Sequence, residues 1–250
     1  MFADTMQSTL RGAATAVLRT VYPPRCLACG GLVEEEFGLC PTCFRDTPFV
    51  AGLACDACGV PLPGSSDRAE HCDDCLQGPR PWAQGRAALV YRDRARQLVM
   101  ALKHGDRQDI AIPAARWMTR VTRPIAAADA VVVPVPLHLT RHLKRRYNQS
   151  ALLARGLARG LGLQACPDAL VRRSATPSLD GKGRDERYQT LDGQLAVAPS
   201  RVAQIAGRPV IVVDDVMTSG ATLDAATRAL LASGATSVCI SVLARVSRDA

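Results

Sequence analysis

Aromatic residues are scarce, at 4% of the 250 positions. A stacking platform for single-stranded bases is therefore not evident. Lysine is rarer still: Lys103, Lys144 and Lys182 are the only three, so the 31 basic residues are almost all arginine. Heavy use of Arg together with Ala is what a GC-rich genome produces, so the formal charge of +8 says little alone about a polyanionic partner. Long hydrophobic runs are also missing. The best stretch, 131–140, carries two prolines and falls well short of the roughly 18 apolar residues of a membrane span. The first twenty residues lack a basic start followed by a continuous apolar stretch. That argues against a secretory signal and for a cytoplasmic location. With 48% hydrophobic and 22% charged residues, the chain can nonetheless bury a sizeable core.

The unusual residues are unevenly placed. Eight of the ten cysteines lie between Cys26 and Cys75. Residues 1–81 carry a net charge of −4, residues 82–187 one of +12, and residues 188–250 balance at zero. The sharpest change in composition falls at Gly78-Pro79-Arg80-Pro81, a linker-like punctuation. The expected division is an N-terminal module over 1–81 and a larger domain over 82–250.

The cysteines form four Cys-x-x-Cys pairs: Cys26/Cys29, Cys40/Cys43, Cys55/Cys58 and Cys72/Cys75. Two thiolates three positions apart on a tight turn can face one ion about 2.3 Å from each sulfur, and two such turns complete a tetrahedron. Gly30 and Gly59 follow two of the pairs, where knuckle turns call for positive φ. The spacing suits two structural Zn²⁺ ions in successive ribbons, with sequential and cross-braced pairing both open. Disulfides, an iron–sulfur cluster and redox-active pairs are the competing readings. The missing secretion signal disfavours the first, and redox pairs rarely come four at a time. His71 is surplus to two complete cysteine sets, and Cys166 and Cys239 read as small core residues. Ahead of the ribbons, apolar residues from Met6 to Val21 repeat with helical spacing that stops before Pro23-Pro24.

Residues 82–250 alternate strand and helix. Strands are expected at 87–91, 131–135, 209–213 and 238–243, and helices at 94–104, 150–161 and 223–231. This is an α/β pattern: a mostly parallel sheet with helices on both faces, binding ligands beyond the carboxyl ends of its strands. One segment carries the chemistry. Four β-branched residues, Val210 to Val213, run into Asp214-Asp215 and then Val216-Met217-Thr218-Ser219-Gly220-Ala221-Thr222 at the start of a helix. Such a loop offers backbone N–H groups, hydroxyls and a positive helix end to a phosphate. The adjacent carboxylates can accept from neighbouring sugar hydroxyls and stabilise an oxocarbenium-like carbon. A phosphate cradle beside a diol clamp selects a ribose 5-phosphate.

This segment resembles the donor-binding signature of type I phosphoribosyltransferases. The resemblance implies a site for phosphoribosyl pyrophosphate accompanied by Mg²⁺, with Asp214 and Asp215 on the ribose and Met217, Thr218, Ser219, Gly220, Ala221 and Thr222 around the 5-phosphate. Joined to the cysteine pairs, the chain from about residue 10 to 246 is similar to the ComF family of competence-associated proteins. The similarity rests on Pro23-Pro24-Arg25-Cys26, Tyr91, Leu102-Lys103-His104, Val133-Pro134-Val135-Pro136, Arg141 to Gln149, and Asp185-Glu186-Arg187. Where that family has Arg-Gly-Phe-Asn-Gln, this chain has Arg145-Arg146-Tyr147-Asn148-Gln149. Leu179 and Thr190 likewise replace polar residues flanking the Arg187 loop.

By that likeness Arg141, Arg145, Arg146, Asn148, Gln149 and Arg187 would receive pyrophosphate or another anion. Plainer roles compete: an exposed face for the arginine cluster, a helix cap for Asn148 and Gln149, a favourable charge at a helix end for Lys103 and His104, and a solvated lid for Arg187. Three functions follow. One is a phosphoribosyltransferase of unknown acceptor. Another is a factor handling incoming single-stranded DNA in natural transformation, beside a helicase or recombination protein. The alternative is a non-catalytic sensor of the donor, or a nucleic-acid-binding protein.

Overall fold

A computed structural model describes residues 22–137, 147–173, 184–191 and 193–247. The chain divides into two compact units, 1–47 and 48–250. The apolar repeat expected to form a helix from Met6 to Val21 lies outside the described residues. So do Arg141, Arg145 and Arg146.

In the first unit an antiparallel bridge joins Arg25 to Leu32 around the Cys26–Cys29 turn. Helix α1 (Pro41–Arg45) follows, with Cys40 as its N-cap. The second unit opens with the same plan. A bridge joins Ala54 to Pro61 around Cys55–Cys58, and Cys72 precedes helix α2 (Asp73–Gln77). The compositional break at Gly78–Pro81 thus lies inside the larger unit, and the second ribbon belongs to the same unit as the sheet.

After that ribbon the elements run β1 (Gln84–Val90), α3 (Asp93–His104), α4 (Ala111–Thr122), β2 (Val131–Pro134), α5 (Gln149–Leu161), β3 (Gln164–Ala165), β4 (Leu170–Arg172), α6 (Arg184–Leu191), β5 (Leu195–Val197), α7 (Val202–Ile205), β6 (Pro209–Met217), α8 (Ala221–Ala232) and β7 (Ser237–Arg245). Five strands form one sheet in the order β1-β7-β6-β2-β3, and every pairing in it is parallel. Strands β4 and β5 form a separate antiparallel ribbon.

Side chains alternate across a parallel sheet, so both faces must be covered. Val131 and Val133 of β2, Val210 and Val212 of β6, and Val238, Ile240 and Val242 of β7 share one buried cluster with Leu223, Ala226 and Leu230 of α8. The intervening positions Val132, Ile211, Val213 and Leu243 are equally buried. Helices α4 and α5 cover that other side, where Thr122 and Ser241 share a hydrogen bond of 2.7 Å. The α/β expectation therefore holds, with local differences. Strand β6 runs four residues past Val213, and β1 begins three residues before Ala87. Helix α4 was not among the expected elements, and it holds a proline, Pro113. Pro113 stands in the first turn, where a missing N–H costs nothing. Arg187, expected in a loop, lies in α6.

Helices α4 and α5 approach closely through Gly156 and Gly160. A Cβ added at Gly156 would sit 2.5 Å from Ala115 Cβ, and one at Gly160 would sit 2.5 Å from Thr119 Oγ1. Glycine inside a helix costs roughly 1 kcal/mol relative to alanine, and here close packing offsets it. Gly156→Val should lower stability by about 1–3 kcal/mol, read as a lower denaturation midpoint at unchanged m-value.

Candidate functional site

The eight paired cysteines gather as two sets, Cys26/Cys29/Cys40/Cys43 and Cys55/Cys58/Cys72/Cys75, with all sulfurs of a set within 4.8 Å of one another. The pairing is sequential, and cross-bracing is excluded. Cys29 and Cys40 sulfurs lie 3.8 Å apart, and those of Cys58 and Cys72 lie 3.6 Å apart. A tetrahedron with metal–sulfur bonds of about 2.3 Å has edges of about 3.8 Å, so the cages fit Zn²⁺. Local backbone builds them. Gly30 and Gly59 adopt φ of 76° and 70°, letting the Gly30 and Gly59 amides bond back to the Cys26 and Cys55 carbonyls.

The thiols themselves favour a bound cation. In the first set burial works against ionising Cys26, yet amides of Cys29, Cys40 and Ala28 bring its pKa down to about 6. Burial, with the neighbouring thiols behind it, pushes Cys43 up to about 12. In the second set hydrogen bonds with Cys58 and Cys75 hold Cys55 far below a free thiol, while bonds with Cys55 and Cys75 hold Cys58 far above. Four crowded thiols cannot all ionise unaided; a divalent cation removes that conflict. His71 belongs to neither set. Cys166 is buried and Cys239 half-buried, and both are held as neutral thiols by burial.

The carboxylate pair stands at the carboxyl end of β6. Because β6 stays paired with β7 as far as Met217 opposite Arg245, Asp214 and Asp215 are fixed in a strand and not carried on a loop. Asp214 Oδ1 accepts from Ser150 Oγ at 2.8 Å and from the Asp215 amide at 2.9 Å. Asp215 pairs with Lys103 Nζ at 3.1 Å, with both side chains largely buried. Lys103 therefore does more than favour the end of α3, although nothing local in the sequence shows its partner.

The segment expected to meet an anion does much of its work on the chain itself. Asn148 caps α5, accepting from the Ala151 amide, and donates to the Val135 carbonyl at 3.2 Å. Gln149 is fully buried and donates to the Lys103 carbonyl at 3.4 Å. Tyr147, which departs from the family's phenylalanine, donates its hydroxyl to the Leu102 carbonyl at 2.6 Å. Tyr147 and Gln149 thus tie down the end of α3 from which Lys103 reaches Asp215, while Asn148 joins the start of α5 to Val135.

Past Met217 the chain turns through Thr218 and Ser219 to Gly220, whose φ of 88° lies in the left-handed region, and then enters α8. A Cβ at Gly220 would meet Met217 Cε at 2.8 Å and Trp82 Cη2 at 3.2 Å. Glycine is therefore required both for conformation and for space. The first amides of α8, from Ala221 and Thr222 onward, and the helix dipole converge on this turn, which suits a phosphate. Three residues that sequence reasoning passed over support the loop. Arg80 Nη1 donates to the Ser219 carbonyl at 3.0 Å and to Tyr188 Oη at 2.8 Å, and the Tyr188 hydroxyl reaches the same carbonyl at 3.2 Å. Arg245, 5% exposed, donates to the Thr218 carbonyl at 2.8 Å. A linker-like Gly/Pro setting hid Arg80, and an apolar strand hid Arg245.

Burial, with the Asp215 charge next to it, raises Asp214 from 3.8 to about 7, against the pull of Ser150, the Asp215 amide and Lys103. Since the folded pKa is the higher, the folded state holds the extra proton between these values. Stability is full below about pH 4 and falls as pH rises toward 7. Asp214→Asn should therefore stabilise the protein at pH 8 by on the order of 2 kcal/mol, an advantage that fades near pH 4. Denaturant titrations of both proteins at the two pH values check this; equal gains at both would refute it.

Known proteins share these features. Residues 17–76 match the double zinc ribbon domain, and residues 148–250 match the phosphoribosyl transferase domain. DNA utilization protein YhgH of Escherichia coli K12 is 31% identical over 220 residues, which are 86% of this chain and 93% of that protein. Competence protein F of Haemophilus influenzae is 28% identical, covering 88% and 96% of the two chains. Competence protein ComFC of Bacillus subtilis is 25% identical, covering 81% and 82%. With both four-cysteine sets and a phosphoribosyl transferase domain in place, the chain belongs to the ComF family of competence-associated proteins.

Proposed function

We propose that this protein binds phosphoribosyl pyrophosphate with Mg²⁺ at the carboxyl end of β6 and acts as a phosphoribosyltransferase. The observation that carries the reading is the juxtaposition of Asp214 and Asp215, fixed in a strand, with the left-handed turn at Gly220 that opens α8. The amides after Gly220 would receive the 5-phosphate, and the two carboxylates would accept from the ribose hydroxyls. Those donors, like a nearby Mg²⁺, favour the ionised form of Asp214 and so draw its raised pKa back down on binding. Mg²⁺ keeps most of its oxygens from ligand and water, which explains why it needs no dedicated protein cage.

The reaction class follows from charge placement. The bond from the anomeric carbon to pyrophosphate breaks as a bond to a nucleophile forms, and the carboxylates stabilise the positive charge that develops on the sugar during the displacement. Arg141, Arg145, Arg146 and Arg187 supply the positive charge that the departing pyrophosphate needs. Lys103 neutralises Asp215, and Asp214, raised to about 7, carries at most one negative charge in the free site; that is less repulsive to an anionic ligand than two. A site that holds the donor without turnover would use the same residues, and single-turnover release of pyrophosphate separates the two cases.

Calorimetry with phosphoribosyl pyrophosphate and Mg²⁺ should give a binding isotherm that Asp214→Asn combined with Asp215→Asn abolishes. Absence of heat in the parent protein would end this reading.

The relatives are named for DNA utilization and competence. With the +12 segment at 82–187, these names support a second role, the handling of incoming single-stranded DNA in the cytoplasm alongside a helicase or recombination protein. Affinity for single strands should then fall steeply with salt and drop on Arg145→Ala plus Arg146→Ala. A flat salt dependence would contradict direct DNA binding.

A further inference from the structure

Two arginines at the donor loop lack the partner that a buried guanidinium ordinarily needs. Arg80 and Arg245 form no ion pair with a carboxylate among the described residues, and the Nε of each is buried without a hydrogen-bond partner. Removing such a charge from water is costly unless an anion stands nearby. The anions at hand are sulfurs of the second cysteine set. Cys55, Cys58 and Cys75 share a buried cluster with Trp82, over which Arg80 packs, and with Met217, whose carbonyl accepts from Arg245. Four thiolates around Zn²⁺ carry a net charge of −2, enough to balance both guanidinium groups.

Geometry continues the connection to the loop. Arg80 packs over the Trp82 ring at 5.6 Å, and the Trp82 indole N–H donates to the carbonyl of Ala57, inside the Cys55–Cys58 knuckle. Cys55, Cys58, Cys75, Trp82 and Met217 share one buried cluster. From there Arg80 holds the Ser219 carbonyl and Arg245 the Thr218 carbonyl, the two peptides immediately before Gly220. Carbonyls bound from behind leave the succeeding amides directed the other way, toward an incoming anion.

We propose that Arg80 and Arg245 are positioning residues through which the second zinc site sets the geometry of the phosphate loop. A filled cage would fix the Cys55–Cys58 knuckle, the knuckle seats Trp82 and Met217 beside the two guanidinium groups, and these fix the 218–220 backbone. The first cysteine set belongs to the other compact unit. Donor affinity then depends on zinc at one site and not at the other, so oxidation or metal loss at Cys55/Cys58/Cys72/Cys75 would weaken ligand binding without touching a ligand-contacting residue. The proposal takes the donor site of the preceding section as given, yet its primary readout is independent of that ligand.

The experiment follows amide hydrogen exchange in residues 218–224 of the full chain, with zinc content and calorimetry on phosphoribosyl pyrophosphate beside it. Arg80→Gln should keep two zinc ions per chain, speed loop exchange at least tenfold and weaken the donor about tenfold or more. Cys75→Ser should lose one zinc and give the same loop signature. Cys43→Ser should also lose one zinc but leave the loop at the parent's exchange rate. If Cys75→Ser unfolds the larger unit, all amides exchange together, and Arg80→Gln still decides. Parent-like loop exchange in Arg80→Gln overturns the proposal, whatever happens to affinity. Faster loop exchange in a protein whose parent shows no donor heat would uphold the link and refute the donor site instead.

Discussion

The parallel pairing of β6 with β7, carried on to Met217 opposite Arg245, is the constraint from which the site follows. Had β6 ended with its hydrophobic run at Val213, the two aspartates would be loop residues with freedom to turn toward water. Held in a ladder, they present carboxyl groups at a fixed spacing to whatever occupies the strand end. Burial then makes their joint ionisation unfavourable, and Lys103 and Ser150 share in relieving it. A site strained in this way is a common trade of stability for binding power.

The family likeness of the 141–149 stretch implies ligand contacts, but its described part, 147–149, is largely architecture. Tyr147, Asn148 and Gln149 hydrogen-bond to the end of α3, the start of α5 and Val135 just after β2, while Gln149 Oε1 is buried without a partner among the described residues. Tyr147 and Gln149 thereby help place the helix end that delivers Lys103. The Tyr147 hydroxyl shows how a chain can depart from its family's motif and gain a bond by doing so.

Much of this was legible in the sequence, for identifiable reasons. Buried parallel strands read as runs of β-branched residues, so 131–134 and 210–213 were visible. Cys-x-x-Cys spacing is local, so all eight ligands could be named, although their grouping could not. The Asp214–Thr222 segment is contiguous and carries strand, acid pair and turn together. What stayed hidden depends on distance along the chain. Arg80 meets Ser219 across 139 positions, and neither residue announces the other. Helix α4 holds Pro113, whose place in the first turn is known only once the helix exists. Arg187 sat in a stretch too polar to show an apolar face, and α6 is correspondingly weakly amphipathic.

The second ribbon also bears on how the molecule could be divided. β1 is the outermost strand on its side of the sheet, and only one flank of it meets β7. Its other flank is occupied by the start of the same unit: the Val50 amide bonds to the Ala88 carbonyl, the Val90 amide to that of Pro48, and the Gly85 amide to that of Asp56. Asp56 further pairs with Arg86 at 2.8 Å, and added methyl groups at Gly59 or Gly85 would strike the opposing backbone. A chain trimmed to begin at Trp82 would bare that row of amides and carbonyls to any passing strand, an invitation to aggregate. The second ribbon thus doubles as the sheet's edge guard, and the larger unit cannot be cut at its own proline-rich linker without baring that edge.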